Sequence, residues 1–95
     1  MLEINYPDKI LAGVNQSYTL VSDEGTPDGS ISIDGTALHH RVIPLGPPKG
    51  EPSGTPVMKY KVSFFIPDGS AGKSLRLSFR AGESAFDDEK EISND

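Results

Sequence analysis

The sequence predicts an all-β chain folded as a two-sheet antiparallel sandwich of about seven strands, in one domain spanning residues 1–95. Three observations carry this expectation. Apolar and polar residues alternate with period two along most of the chain, and no stretch keeps the 3.6-residue period of an amphipathic helix. Ten glycines and eight prolines, about a fifth of the residues, provide turns without a collagen-like repeat. At 95 residues, the chain can build one modest core but not two.

A first strand is expected within residues 2–6, continuing at Ile10 and Leu11 after an interruption at Pro7. A proline there marks an edge strand or one that switches sheets. In QSYTLVS and SISID the inward positions are Tyr18 and Leu20, then Ile31 and Ile33. Asp34-Gly35 then forms a hairpin turn into ALHHRVI, since both residue types tolerate the positive φ that tight hairpins need. The clearest strand is VMKYKVSFFI, with Met58, Tyr60, Val62, Phe64 and Ile66 on one face and Lys59, Lys61 and Ser63 on the other. SLRLSFRA follows, placing Leu75, Leu77, Phe79 and Ala81 inward. The last strand, residues 84–92, is the weakest, because Phe86 and Ile92 are its only large apolar residues. With Gly82 and Glu83 as its turn, Asp87 and Glu89 come beside Ser78 and Arg76 and offset charge across the strands.

Two segments break the pattern. Residues 44–56, PLGPPKGEPSGTP, hold five prolines and three glycines, which excludes helix and inner strand. The segment reads as a stiff extended crossover between sheets, with a partner-binding loop carried by Pro47, Pro48, Lys49, Glu51 and Pro52 and a disordered insert as the alternatives. Residues 83–95 carry Glu83, Asp87, Asp88, Glu89, Glu91 and Asp95 against Lys90 alone, six acids less one base, which accounts for the whole net charge of −5. An acidic chain is badly suited to nucleic acid or anionic membrane, both of which need cations to displace counterions. No apolar run approaches the roughly 20 residues of a spanning helix, and MLEINYPDKI lacks the basic-then-apolar pattern of an export leader.

GSAGKS, residues 69–74, is reminiscent of a phosphate-binding loop, but Pro67 stands where the loop needs its first glycine, and an alternating strand follows where a helix N-terminus is needed. It reads as a turn. The two copies of PDGS, at residues 27–30 and 67–70, likewise read as repeated turn chemistry. His39 and His40 are the only histidines. Neighbours on a strand face opposite ways, so one exposed and one half-buried imidazole is expected rather than a metal pair or a triad base. With no cysteine there is no disulfide, thiolate ligand or cysteine nucleophile. No catalytic set assembles, and no cofactor is expected. Asp23, Glu24, Asp28, Asp87 and Asp88 are oxygen ligands of the type Ca²⁺ takes, without the spacing of a known loop. Lys59, Lys61, Arg76 and Arg80 face outward and form a candidate basic patch, with the last strand's acids as neutralisers. Asn15-Gln16-Ser17 matches the glycosylation sequon, and Tyr6 and Phe65 are the candidate aromatic platforms for a sugar.

YPDKILAGVNQSYTLV, PDGSISIDGTAL and FFIPDGSAGKSLRLSFRAGESA together resemble the immunoglobulin-like sandwiches of the IPT/TIG-like and related bacterial repeats. Pro67, Gly72, Leu75 and Leu77 match that family's proline, glycine and apolar alternation, while residues 44–56 are longer than its usual connection. The resemblance implies a non-enzymatic module, a structural spacer or protein-interaction domain of a larger bacterial or viral surface protein, with a protein partner or neighbouring domains. It also implies that KYKVSFFI and SLRLSFRA lie in opposite sheets; a plain hairpin with Ile66 beside Leu75 is the alternative arrangement. The alternative function is a carbohydrate- or Ca²⁺-binding accessory module attached to an enzyme.

Overall fold

In the computed structural model, which describes residues 1–50 and 56–93, the alternating segments form eight strands and the described residues contain no helix. They are β1 (Leu2–Asn5), β2 (Asn15–Ser22), β3 (Asp28–Ile33), β4 (Thr36–Leu38), β5 (His40–Gly46), β6 (Met58–Phe65), β7 (Ser74–Ala81) and β8 (Ser84–Glu91). Two four-stranded sheets result, ordered β1-β2-β6-β5 and β4-β3-β7-β8, with every strand pair antiparallel. Lettered A, B, C, C′, D, E, F, G in chain order, they give sheets ABED and C′CFG, the arrangement of an immunoglobulin-like sandwich.

β6 and β7 lie in opposite sheets, so residues 66–73 cross between layers rather than close a hairpin. Between the layers sit Tyr18, Leu20, Ile31, Ile33, Tyr60, Val62, Phe64, Ile66, Leu75, Leu77 and Phe79, all buried. These are the positions that alternation assigns inward, because the period-two pleat sends every second side chain to the same face. Met58, also expected inward, is only half-buried at the start of β6.

Pro7 both ends an edge strand and begins a change of sheet. β1 lies at the edge of the first sheet, and the chain then crosses so that Leu11 bridges Ser93 in parallel and the Ser93 N–H donates to the Ile10 carbonyl at 2.6 Å. Ile10 and Ile92 are buried there, sealing that end of the core.

Three expectations need correction. The segment ALHHRVI is two strands, since His39 carries the chain from one sheet to the other. Leu38 pairs with Ile31, and His40 and Val42 pair with Phe64 and Val62, so inward positions stay in phase across the crossing. Alternation reports which way a side chain faces, not which sheet its backbone joins. The proline-rich segment begins later than expected: Pro44 and Gly46 pair with Tyr60 and Lys59 across a bulge. β5 is an edge strand, where a residue without an N–H is tolerated. Finally, the two PDGS copies do different jobs. Gly69 turns the chain with φ +86°, whereas Asp28, Gly29 and Ser30 belong to β3 itself, paired with Arg80, Phe79 and Ser78.

Candidate functional site

The second half of the GSAGKS turn has its backbone donors engaged, the Ser74 N–H on Asp34 Oδ1 at 2.9 Å among them. The Gly72 N–H donates to the Ile92 carbonyl at 2.8 Å and the Lys73 N–H to the Ser70 carbonyl at 3.0 Å, with Gly72 at φ +84°. β7 starts at Ser74, so no helix end faces the turn. The amides of Gly72, Lys73 and Ser74, which a phosphate loop would turn to its ligand, are therefore already engaged.

His39 is exposed between strands, while His40 is half-buried with its ring edge-on to Phe79, centroids 5.7 Å apart. The acids divide among separate tasks. Asp23 and Glu24 accept hydrogen bonds from the Met1 ammonium at 2.7 and 2.8 Å. Glu24 also accepts from the Glu83 N–H at 3.2 Å and from the Ser84 hydroxyl, joining the β2–β3 connection to the β7–β8 turn. These bonds, the ammonium's first, pull the Glu24 carboxyl down to about 2. Asp87 receives a forked pair from Arg76, Nε to Oδ1 at 3.0 Å and a terminal guanidinium nitrogen to Oδ2 at 2.7 Å. Arg76 accordingly holds the Asp87 carboxyl below its ordinary value. That arrangement stabilises the fold above the unfolded-state pKa and is lost as pH falls through the folded one. Asp28 pairs with Arg80 across β3 and β7, and Asp88 sits opposite Leu77 on the half-buried side of β8. Among the described residues no three His, Cys, Asp or Glu side chains come together as a metal site.

The expected basic patch divides in two. Lys59 and Lys61 lie on β6 of the first sheet, Arg76 and Arg80 on β7 of the second, each facing outward. The sandwich separates the pairs, and among the described residues the acids of β8 meet the patch through Asp87 on Arg76. As for the aromatic platforms, Tyr6 is half-buried, 5.7 Å from Tyr18 and 6.2 Å edge-on to Phe86, with Lys90 Nζ 4.9 Å above its ring. Phe65 remains, 48% exposed and opposite Asn15 at the start of β2. Both Asn15 and Ser17 of the sequon are exposed.

Of the candidate loop, Pro48 turns back to line a hollow of about 610 Å³ with Glu3, Asn5, Thr19, Val21 and Lys59 on the outer side of the first sheet. Leu2, Ile4 and Phe86 extend the lining to the seam between β1 and β8. Pro47 and Lys49 are exposed, and Glu51 and Pro52 lie outside the described residues. Sequence reasoning missed this hollow because its walls come from five stretches that only strand pairing and the packing of the two sheets bring together. The Glu24 junction was missed for the same reason.

No family model, curated protein or solved structure matches the chain. Its class rests on topology, and that class is the immunoglobulin-like β-sandwich.

Proposed function

We propose that the chain is a non-enzymatic immunoglobulin-like module, a structural spacer and protein-interaction domain within a larger surface protein, of the IPT/TIG-like kind. One observation carries the spacer reading. Leu2 pairs with Ser22, beside the β2–β3 connection and the β7–β8 turn, whereas Ser93 lies beside Ile10 at the opposite end, next to the GSAGKS turn. Eight-residue strands separate these ends by roughly 25 Å, within a molecule 45 Å long and 24 by 20 Å across. A chain that enters at one pole and leaves at the other joins head to tail with its neighbours.

The test is small-angle scattering from two copies joined through a two-residue linker. An end-to-end arrangement raises the maximum dimension to nearly twice that of one copy; a side-by-side pair defeats the reading. Melting with Ca²⁺, with EDTA and with a panel of polysaccharides separates the accessory-module alternative, because a ligand that binds only the folded state raises its melting temperature. No shift is expected with any of them. A saturable shift would transfer the function to a ligand site, and Phe65 would be the first residue to replace.

A further inference from the structure

Each sheet ends in two edges, and three of the four edges protect themselves through their backbone. β1 has four residues and stops before Pro7, β4 has three, and β5 carries Pro44 and a bulge. Such shortness, proline and irregularity are what keep an edge from recruiting another strand. β8 has none of these three, and charge is its protection. Asp87, Glu89 and Glu91 point outward and Asp88 and Lys90 lie on the half-buried face, and they repel a like-charged strand but not a complementary one. β8 pairs residue for residue with all eight positions of β7, without proline or bulge.

The free side of β8 follows from its hydrogen bonds. The Ile92 N–H donates to the Lys73 carbonyl at 2.8 Å, and the Ile92 carbonyl accepts from Gly72, so the Ile92 peptide groups point toward β7. Backbone groups alternate sides along an antiparallel strand. Those of Ala85, Asp87 and Glu89 therefore point away from β7, and among the described residues nothing meets them. Two residues past Glu91, Ser93 uses its outward N–H to hold the Ile10 carbonyl. The chain thus begins a strand addition on this edge and leaves the backbone groups of the rest without a partner, although β1 of the other sheet lies close by across the seam.

The side chains flanking the open edge define what fits. Asp87, Glu89 and Glu91 stand on the outer face, and Arg76 offsets only Asp87 by direct contact. On the other face Lys90 is turned onto Tyr6, Asp88 is half-buried, and Phe86, edge-on to Tyr6, opens onto the hollow shared with Leu2 and Ile4. A second copy of β8 would bring acid against acid.

We propose that the β8 edge is a docking site for an extended segment of a partner polypeptide that alternates Lys or Arg with apolar residues. Main-chain bonds to Ala85, Asp87 and Glu89 hold the segment. Its cations meet the outer acids, and its apolar residues meet the seam at Phe86. This deepens the interaction half of the proposed function; the scattering test of the spacer half is independent of it.

The test titrates the isotope-labelled chain with a ten-residue peptide alternating Lys and Val, at low ionic strength, against the same peptide with Glu in place of Lys. The Lys peptide is expected to shift the amides of Ala85, Asp87 and Glu89 and to slow their hydrogen exchange. The double variant Glu89→Lys/Glu91→Lys, at two exposed positions, is expected to stay folded and to bind at least tenfold more weakly. Equal binding of the Glu peptide, shifts mapping to β1 or β5 instead, no saturable binding at millimolar peptide, or unchanged affinity in the folded double variant would each overturn the proposal.

Discussion

Tyr18 is where one hydroxyl links burial to pH. Its O–H donates to Gln16 Oε1 at 2.9 Å, while Gln16 Nε2 donates to the Leu11 carbonyl at 3.3 Å. Desolvation pushes the Tyr18 phenol from its usual 10 up to about 12. The folded state therefore holds this proton more tightly than the unfolded chain does. The contribution is complete below pH 10 and is lost as pH rises from 10 toward 12. Tyr18→Phe removes the donor and leaves a buried acceptor unmet, with an expected loss of about 1–2 kcal/mol at neutral pH. Urea denaturation across pH should show that loss together with a flatter alkaline limb; an unchanged alkaline limb would place the titration elsewhere. The inward position of Tyr18 was legible from alternation. Its partner was not: Gln16 is a polar residue at an inward position, and only the structure shows it buried at 8% exposure, meeting the crossing segment at Leu11.

At the level of elements, identical letters conceal different physics. A Cβ at Gly29 would run into the Ser78 carbonyl oxygen and come within 2.7 Å of Phe79 Cα, because β3 lies close against β7 there. A Cβ at Gly69 meets nothing, and only its φ of +86° resists a side chain. Gly29→Ala should therefore cost about 1–3 kcal/mol by forcing two strands apart, and Gly69→Ala about 1 kcal/mol by backbone strain. Gly69→Asn should recover part of that, since Asn adopts positive φ more readily, whereas Gly29→Asn should recover nothing. Denaturation midpoints of the four variants check the ordering, and recovery by Asn at both sites would refute it. Turn signals that rest on local φ preference were legible, as at Asp34 with φ +48° and Gly35 with φ +86°. A close approach between strands 50 residues apart in sequence leaves no local mark. The register of β7 and β8 was legible because a two-residue turn at Gly82 and Glu83 fixes which positions face each other, and Arg76 does face Glu89 while bonding diagonally to Asp87.

For the molecule as a whole, the decisive stretch is the one after Pro7 that crosses from the first sheet to the second. Ile10, 1% exposed, is its anchor. Lys90 reinforces the crossing from β8, donating to the Pro7 and Asp8 carbonyls at 3.3 Å. Ile10→Ala should cost about 2–5 kcal/mol. Because the segment joins both layers, faster amide exchange is expected in β2 and β7 alike; an effect confined to one sheet would mean that the layers open separately. The layered architecture was readable from composition and alternation. The candidate sites were less so, since a sandwich assigns neighbours by pairing, and Lys59 and Arg76, alike in sequence, end on opposite outer faces.

The polar separation of Leu2 and Ser93 also determines how such a domain can be multiplied. A guest inserted into a host protein's loop needs its two ends close together, as many domains have them. This fold would pry a host loop open by the length of its own strands, so under the proposed spacer role end-to-end joining suits it and insertion does not.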